Sequence, residues 1–107
     1  MRRLIIRPSV VEGLEGIPDY LAARNLDAAE RFLDACRLEF SRLADMPGMG
    51  RIREFEHPKA AGIRSRPISG FKSYLVFYRP IEDSAEILHV IHGARDIDAI
   101  FGSQQDG

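Results

Sequence analysis

The sequence predicts an α+β fold in which a two-helix hairpin packs on a small, mainly antiparallel sheet. Apolar residues recur at helical spacing in the first half of the chain, and the period changes to two after Gly62. Short turn signals then separate strand-like segments. The predicted order is βααβββ, and packing the helix hairpin on one face of the sheet is the simplest way to bury the apolar sides of both.

The first predicted strand covers about residues 3–7 and ends at Pro8. Apolar residues then recur at helical spacing from Ser9 to Leu21, which predicts a first helix with a kink near Gly16–Pro18. The two predicted helices form an antiparallel hairpin that closes at residues 24–26.

The second helix is the clearest predicted element and covers about residues 27–45. Asp27 and Glu30 have the spacing of an acidic capping box, and Pro47 follows the end of the helix. Glu39 and Arg42 are spaced for a weak ion pair at the surface. The apolar stripe consists of Ala29, Phe32, Leu33, Cys36, Phe40, Leu43 and Ala44. Because Cys36 lies on this stripe, we expect an inert, buried thiol.

Residues 46–62 contain five glycines or prolines and show no sustained period, which predicts a long connecting loop. Three strands follow at about 63–69, 73–79 and 86–92. Pro67 indicates that the first of them lies at a sheet edge or contains a bulge. Asp96 is expected to begin a terminal turn, and the tail from about residue 102 is polar.

The composition fits a single domain over residues 1–107. The chain is 45% hydrophobic and contains one cysteine, so one core can form without disulfides. No apolar run reaches the roughly 18 residues of a membrane span, and the N-terminal apolar stretch is too short for a signal peptide. We therefore expect a cytoplasmic protein that needs no cofactor.

Charge is unevenly distributed along a chain whose formal net charge is −1. Residues 51–79 carry seven basic residues and two acidic ones, and 13 of the 15 basic residues in the chain are arginines. Arginine favours bidentate contacts with carboxylate or phosphate groups. The near-neutral total argues against a protein that coats nucleic acid.

Arginines near the predicted strands form the candidate binding site. Arg64 and Arg66 are two residues apart and share a face of their strand. With Arg79 and Arg95 they form a candidate cationic patch for an acidic partner or a phosphate, although the strand register decides whether all four share one face.

Two other patterns have simpler interpretations. His89 and His92 are three residues apart on a strand, so their side chains point to opposite faces and we predict no metal site. His57, His92, Glu54, Glu56 and Tyr74 include the residue types of a metal-free ribonuclease, but no spacing requires them to converge.

The segment SYLVFYRPIEDSAEILHVIHGARDI, residues 73–97, resembles the ParE branch of the RelE/ParE toxin superfamily. Further similarities are Asn25-x-x-Ala28-Ala29-x-x-Phe32, Leu43-x-x-Met46-Pro47-x-x-Gly50-x-x-Arg53 and Gly62-x-Arg64, and the likeness covers about residues 3–101. The resemblance implies a βααβββ toxin of a bacterial toxin–antitoxin module, which a small antitoxin neutralises.

The superfamily has two activities. RelE-like members cleave mRNA in the ribosome with Arg, Lys and Tyr side chains, whereas ParE-like members inhibit DNA gyrase without being nucleases. The position of a RelE-type catalytic arginine falls here on Leu75, and that of the terminal tyrosine falls on Phe101. Arg95 alone matches the pattern. Leucine cannot hold phosphate and phenylalanine cannot donate a proton, so the resemblance implies an incomplete nuclease set.

The prediction is a toxin that inhibits gyrase by binding and has no catalytic residues. A ParD-like antitoxin is expected to contact Arg64, Arg66, Arg79 and Arg95, and operator DNA is reached only through the antitoxin. One alternative is a ribosome-dependent endoribonuclease of the RelE type. Another is a non-toxic family member that only binds antitoxin.

Overall fold

The computed structural model describes residues 4–8, 10, 23, 25–55, 58–82 and 84–93. These residues form an α+β fold with one long helix and a five-stranded mixed sheet. The elements are β1 Ile5–Ile6, α1 Leu26–Asp45, β2 Arg51–Ile52, β3 Arg64–Ile68, β4 Phe71–Ile81 and β5 Ser84–His92, with 3₁₀ turns at Pro47–Met49 and Pro58–Ala60. The predicted α+β class is confirmed. The helix predicted from Ser9 and the turn at Asp96 lie largely or wholly outside the described residues, so the two-helix hairpin stays a prediction.

The sheet order is β1-β5-β4-β3-β2. β1 runs parallel to β5, and all other neighbours are antiparallel. The long strands β4 and β5 therefore lie inside the sheet, while β1 and β2 are its two short edges.

Helix α1 begins at Leu26, one residue before the predicted start. Asn25 is the N-cap, and its side chain accepts hydrogen bonds from the backbone N–H groups of Asp27 at 3.0 Å and Ala28 at 3.3 Å. The predicted capping box at Asp27 and Glu30 is wrong, because Asn25 is the N-cap and both residues therefore lie inside the helix. The apolar stripe is confirmed: Ala29, Phe32, Cys36, Phe40 and Leu43 are buried. Burial raises the pKa of the Cys36 thiol to about 12, so the sulfur stays protonated.

The predicted long loop over residues 46–62 is wrong in part, because it contains the short strand β2. This strand is absent from the predicted order. Arg51 pairs with Ser65 and Ile52 with Arg64. Two residues cannot display a period, and pairing with β3 rather than local propensity makes them a strand. Pro67 lies beyond this pairing, where no described strand pairs with the outer edge of β3, and a bulge follows it. The predicted edge or bulge at Pro67 is therefore confirmed.

The sheet has two apolar faces, because successive residues of β4 point to opposite sides. The face that packs against α1, called here the helix side, includes Val76, Tyr78 and Ile87. The opposite face, called here the second side, includes Phe77 and Ile91 and is covered by Ala60 and Ile63. No helix within the described ranges is long and apolar enough to cross a bilayer.

The two histidines of β5 both follow a bulge in that strand and lie in regular register with β4. Phe77 pairs with His89 and Tyr78 pairs with Ile87, so Leu88 is the extra residue. His89 lies opposite Phe77 on the second side, whereas His92 lies opposite Tyr74 on the helix side. The prediction that the two imidazoles point to opposite faces is confirmed.

Candidate functional site

Arg66 contacts a buried carboxylate on the helix side. Its Nε donates to Oε2 of Glu39 at 2.6 Å, and Nη1 of Arg42 lies 3.6 Å from the other carboxylate oxygen. The Glu39 side chain is 1% exposed, whereas Arg66 is 34% exposed. A buried charge requires such partners, and this cluster therefore fixes α1 against β3.

The sequence prediction missed this role of Glu39. An ion pair with Arg42 exists, but it does not lie at the surface, because Glu39 is buried. The available signal is spacing: Phe32, Cys36, Glu39 and Leu43 follow one another at intervals of four, three and four residues, which places Glu39 on the apolar stripe. A carboxylate at such a position requires a cation from the surface it packs against.

Arg64 lies on the same side and holds the turn after α1. Its Nη1 donates to the carbonyls of Gly50 at 2.7 Å and Gly48 at 3.3 Å. The fully buried Tyr78 completes the arrangement: its hydroxyl oxygen accepts from the Gly50 N–H at 2.7 Å, and its O–H donates to the Pro47 carbonyl at 2.7 Å. Burial raises the pKa of the Tyr78 hydroxyl, which keeps it a donor.

Gly50 is required in this turn by close packing. A Cβ at this position would lie 2.5 Å from the Tyr78 hydroxyl oxygen and 2.9 Å from the Ser65 carbonyl oxygen. Pro47, Gly50 and Arg64, which belong to the motifs shared with the ParE branch, form one hydrogen-bonded unit with Tyr78. Their spacing along the chain therefore has a structural explanation.

Arg79 lies on the second side, away from Arg64 and Arg66. Its Nη2 donates to the Lys59 carbonyl at 2.7 Å, and its Nη1 is 3.9 Å from Glu86. Arg7 forms the shorter pair with Glu86, at 2.9 Å. The register left open by the sequence therefore divides the candidate patch between two faces, and Arg95 lies outside the described residues.

A third group of residues lies at the β2 edge, where the sequence predicted only a loop. Arg53 donates from Nη1 to Ser65 Oγ at 3.2 Å, and its guanidinium lies 5.4 Å from the centroid of the Phe77 ring. Arg51 is exposed and has no ion pair or side-chain hydrogen bond within the described part of the chain. Ile52 is 58% exposed.

The candidate nuclease residues are only partly brought together. The rings of Tyr74 and His92 meet edge to face at 5.0 Å, and Tyr74 packs at the same distance on Phe32. Glu54 is exposed after β2, while His57 and Glu56 lie outside the described residues. Leu75 packs in the apolar cluster of the second side.

One family model matches most of the chain, and one solved structure is similar in fold. The sequence model of the family "ParE toxin of type II toxin–antitoxin system, parDE" matches residues 4–97. A solved structure titled "Chromosomal ParDE TA system from P. aeruginosa" is similar with a TM-score of 0.67 and 18% identity, covering 86% of this chain and 96% of that one. At this identity the structural likeness shows the fold alone. No curated protein matches the chain.

Proposed function

The chain belongs to the ParE toxin family of type II toxin–antitoxin systems, and from this premise we propose that it inhibits DNA gyrase by binding and is neutralised by a cognate ParD-like antitoxin. The proposal includes a cytoplasmic location and a hetero-oligomer with the antitoxin, which alone contacts operator DNA.

The observation that carries the proposal is the environment of Leu75. The resemblance places a RelE-type catalytic arginine at this position, and Leu75 packs in the cluster of Phe77, Ile91 and Ile63. An aliphatic side chain in an apolar cluster neither binds a phosphate nor stabilises charge in a cleavage reaction. The environment therefore favours action by binding over RNA cleavage.

Antitoxin contacts at Arg64, Arg66, Arg79 and Arg95 are part of the proposal. Arg66 and Arg79 hold internal contacts but keep 34% and 33% of their side-chain surface exposed. Each can therefore meet an antitoxin carboxylate without giving up its internal partner. Replacing Arg66 would remove both interactions, so a loss of affinity has to be read beside the stability of the variant.

Two assays on the purified protein separate gyrase from the ribosome. One follows supercoiling of relaxed plasmid by gyrase, and the other follows cleavage of mRNA in a translating ribosome. We expect inhibited supercoiling, relief by the antitoxin, and intact mRNA. Cleaved mRNA with unaffected supercoiling would instead assign the RelE-type activity.

Expression without antitoxin tests whether the chain is toxic at all. The proposal expects growth arrest that co-expressed antitoxin reverses. Unimpaired growth, with folded protein that still binds added antitoxin after purification, would indicate a family member that only binds antitoxin.

A further inference from the structure

Arg53 is held in place on the second side without a carboxylate partner among the described residues. Its guanidinium lies 5.4 Å from the centroid of the Phe77 ring and 5.9 Å from that of Phe55. Its Nη1 donates to Ser65 Oγ at 3.2 Å. These contacts fix the position of the guanidinium but do not neutralise its charge. Its remaining N–H groups are therefore a preorganised set of donors for an anion.

Ser65 adds a hydroxyl group beside this guanidinium. The residue is 5% exposed and lies in β3 between Arg51 on one neighbouring strand and Phe77 on the other. Its oxygen accepts from Arg53, so its proton can still be donated, and no acceptor for this proton lies within the described part of the chain. The hydroxyl therefore holds Arg53 and can also donate to an anion that Arg53 binds.

Arg51 places a second positive charge beside the same hydroxyl. It pairs with Ser65 across β2 and β3, which puts the two Cβ atoms about 5 Å apart. Arg51 and Arg53 are two residues apart, so both side chains leave β2 on the second side. Arg51 is exposed and has no ion pair among the described residues. Two guanidinium groups can therefore approach one anion above Ser65.

The surrounding charges leave these two arginines without neutralisation in the described chain. Glu86 lies on the second side, is 16% exposed and pairs with Arg79 at 3.9 Å, two strands away from β2. Glu54 is the nearest acidic residue along the chain and is exposed to water. Arg79 itself keeps 33% of its side chain exposed on this side and adds to the positive potential. The site around Ser65 therefore attracts anions.

The donor arrangement fits a phosphate group better than a carboxylate. A carboxylate is planar, and the fork of a single arginine satisfies it. A phosphate group has three acceptor oxygens and a charge of about −1.5 to −2 near neutral pH, so it can accept from donors that lie in different directions. Here the donors are Arg51 and Arg53 on one strand and Ser65 on the next.

We propose that Arg51, Arg53 and Ser65 form a site for the phosphate group of a small molecule on the second side of the sheet. The two guanidinium groups and the Ser65 hydroxyl donate to the phosphate oxygens, and the rings of Phe55 and Phe77 keep Arg53 in position. Inorganic phosphate and a nucleoside monophosphate present this same group. A nucleic acid fits less well, because two cations on a chain of net charge −1 do not provide an extended contact.

NMR titration of the purified protein tests the site at its own atoms. The Nε–H signals of Arg51 and Arg53 are followed while inorganic phosphate or, separately, adenosine 5′-monophosphate is added at constant ionic strength. We expect both signals to shift and to saturate with one Kd. Arg51→Gln, read at the Arg53 signal, should raise this Kd about 5-fold or more. Lys72→Gln, an exposed position at the start of β4, should change it less than about 2-fold.

Arg53→Lys tests the guanidinium itself, because it keeps the charge but loses the planar fork and its stacking on the two rings. The Kd for phosphate, read at the Arg51 signal, should rise about 10-fold or more. Ser65→Ala removes one donor and the hydrogen bond that positions Arg53, and should raise the Kd about 3-fold. Because Arg51 is exposed, Arg51→Gln remains a valid test if either of these variants fails to fold.

The outcomes are distinct. Shifts that do not saturate, or a Kd that Arg51→Gln leaves unchanged, overturn the site. Acetate that binds as tightly as phosphate, or a short DNA duplex that binds more tightly than the monophosphate at the same salt concentration, also overturns the proposal. Tighter binding of the monophosphate assigns a nucleotide, equal binding assigns the phosphate group alone, and both support the site. None of these results depends on the antitoxin or on gyrase, so the proposed function is tested separately.

Discussion

The two sides of the sheet each carry a glutamate between two arginines, but in different surroundings. On the helix side, Glu39 is 1% exposed and Arg66 is 34% exposed. On the second side, Glu86 is 16% exposed and Arg7 is 56% exposed. A buried charge is stabilised mainly by its ion-pair partners, whereas a charge in contact with water is also stabilised by solvation. The same residue types therefore contribute more to stability on the helix side than on the second side.

The largest expected effect comes from breaking the buried cluster. Arg66→Met should lower the free energy of unfolding by about 3 kcal/mol, because it leaves the Glu39 carboxylate with the more distant Arg42 alone. Arg37→Met, in the exposed pair with Asp34, is the control and should cost less than about 0.5 kcal/mol. Urea denaturation measures both. Equal losses would remove the distinction between the two kinds of pair.

A smaller loss is expected from the turn on the same side. Tyr78→Phe should cost about 2 kcal/mol, because the buried Gly50 N–H and the Pro47 carbonyl lose their partner. Tyr74→Phe, on the same strand and side, should cost less than about 0.5 kcal/mol, since its hydroxyl has no hydrogen bond within the described residues. If the two variants unfold at the same urea concentration, the hydroxyl of Tyr78 does not hold the turn.

The cluster on the second side should contribute little. Glu86→Gln is expected to lower the free energy of unfolding by less than about 1 kcal/mol, since Arg7 and Arg79 are both accessible to water and Arg79 keeps its bond to the Lys59 carbonyl. The measurement is again urea denaturation, at low and high salt. A loss as large as that of Arg66→Met would contradict the comparison.

The smallest effect is a pH dependence on the second side. Burial, and then the nearby charge of Arg7, lower the pKa of His89 below its ordinary value of 6.5. The folded state thus binds a proton less readily than the unfolded state, so this contribution to stability is present above the unfolded pKa and is lost as pH falls through the folded pKa. The unfolding midpoint of His89→Gln should fall less between pH 7.5 and 5.0 than that of the wild type. An identical fall would show that His89 is not responsible.

The sequence was sufficient where a pattern repeats over many residues. The apolar stripe of α1 and the alternating residues of β4 each involve several positions. The residues on them are the ones that pack in the two apolar clusters. It was not sufficient for β2, since two residues acquire their structure from β3. The candidate site depends on the same kind of information: register placed Arg79 on the side opposite Arg64 and Arg66, and only tertiary packing shows that Glu39 is buried. The spacing of residues along the chain does not determine which strands pair or in which register.

We propose that this protein acts by binding rather than by turnover. The most direct test titrates it into a supercoiling reaction at a fixed gyrase concentration and follows the extent of inhibition over time. If the protein acts by binding, inhibition should reach its maximum at a fixed molar ratio of toxin to gyrase. At lower ratios, inhibition should stop at a partial level and should not increase with time. Damage that grows with time at trace amounts of the protein, on mRNA or on any other substrate, would contradict the account.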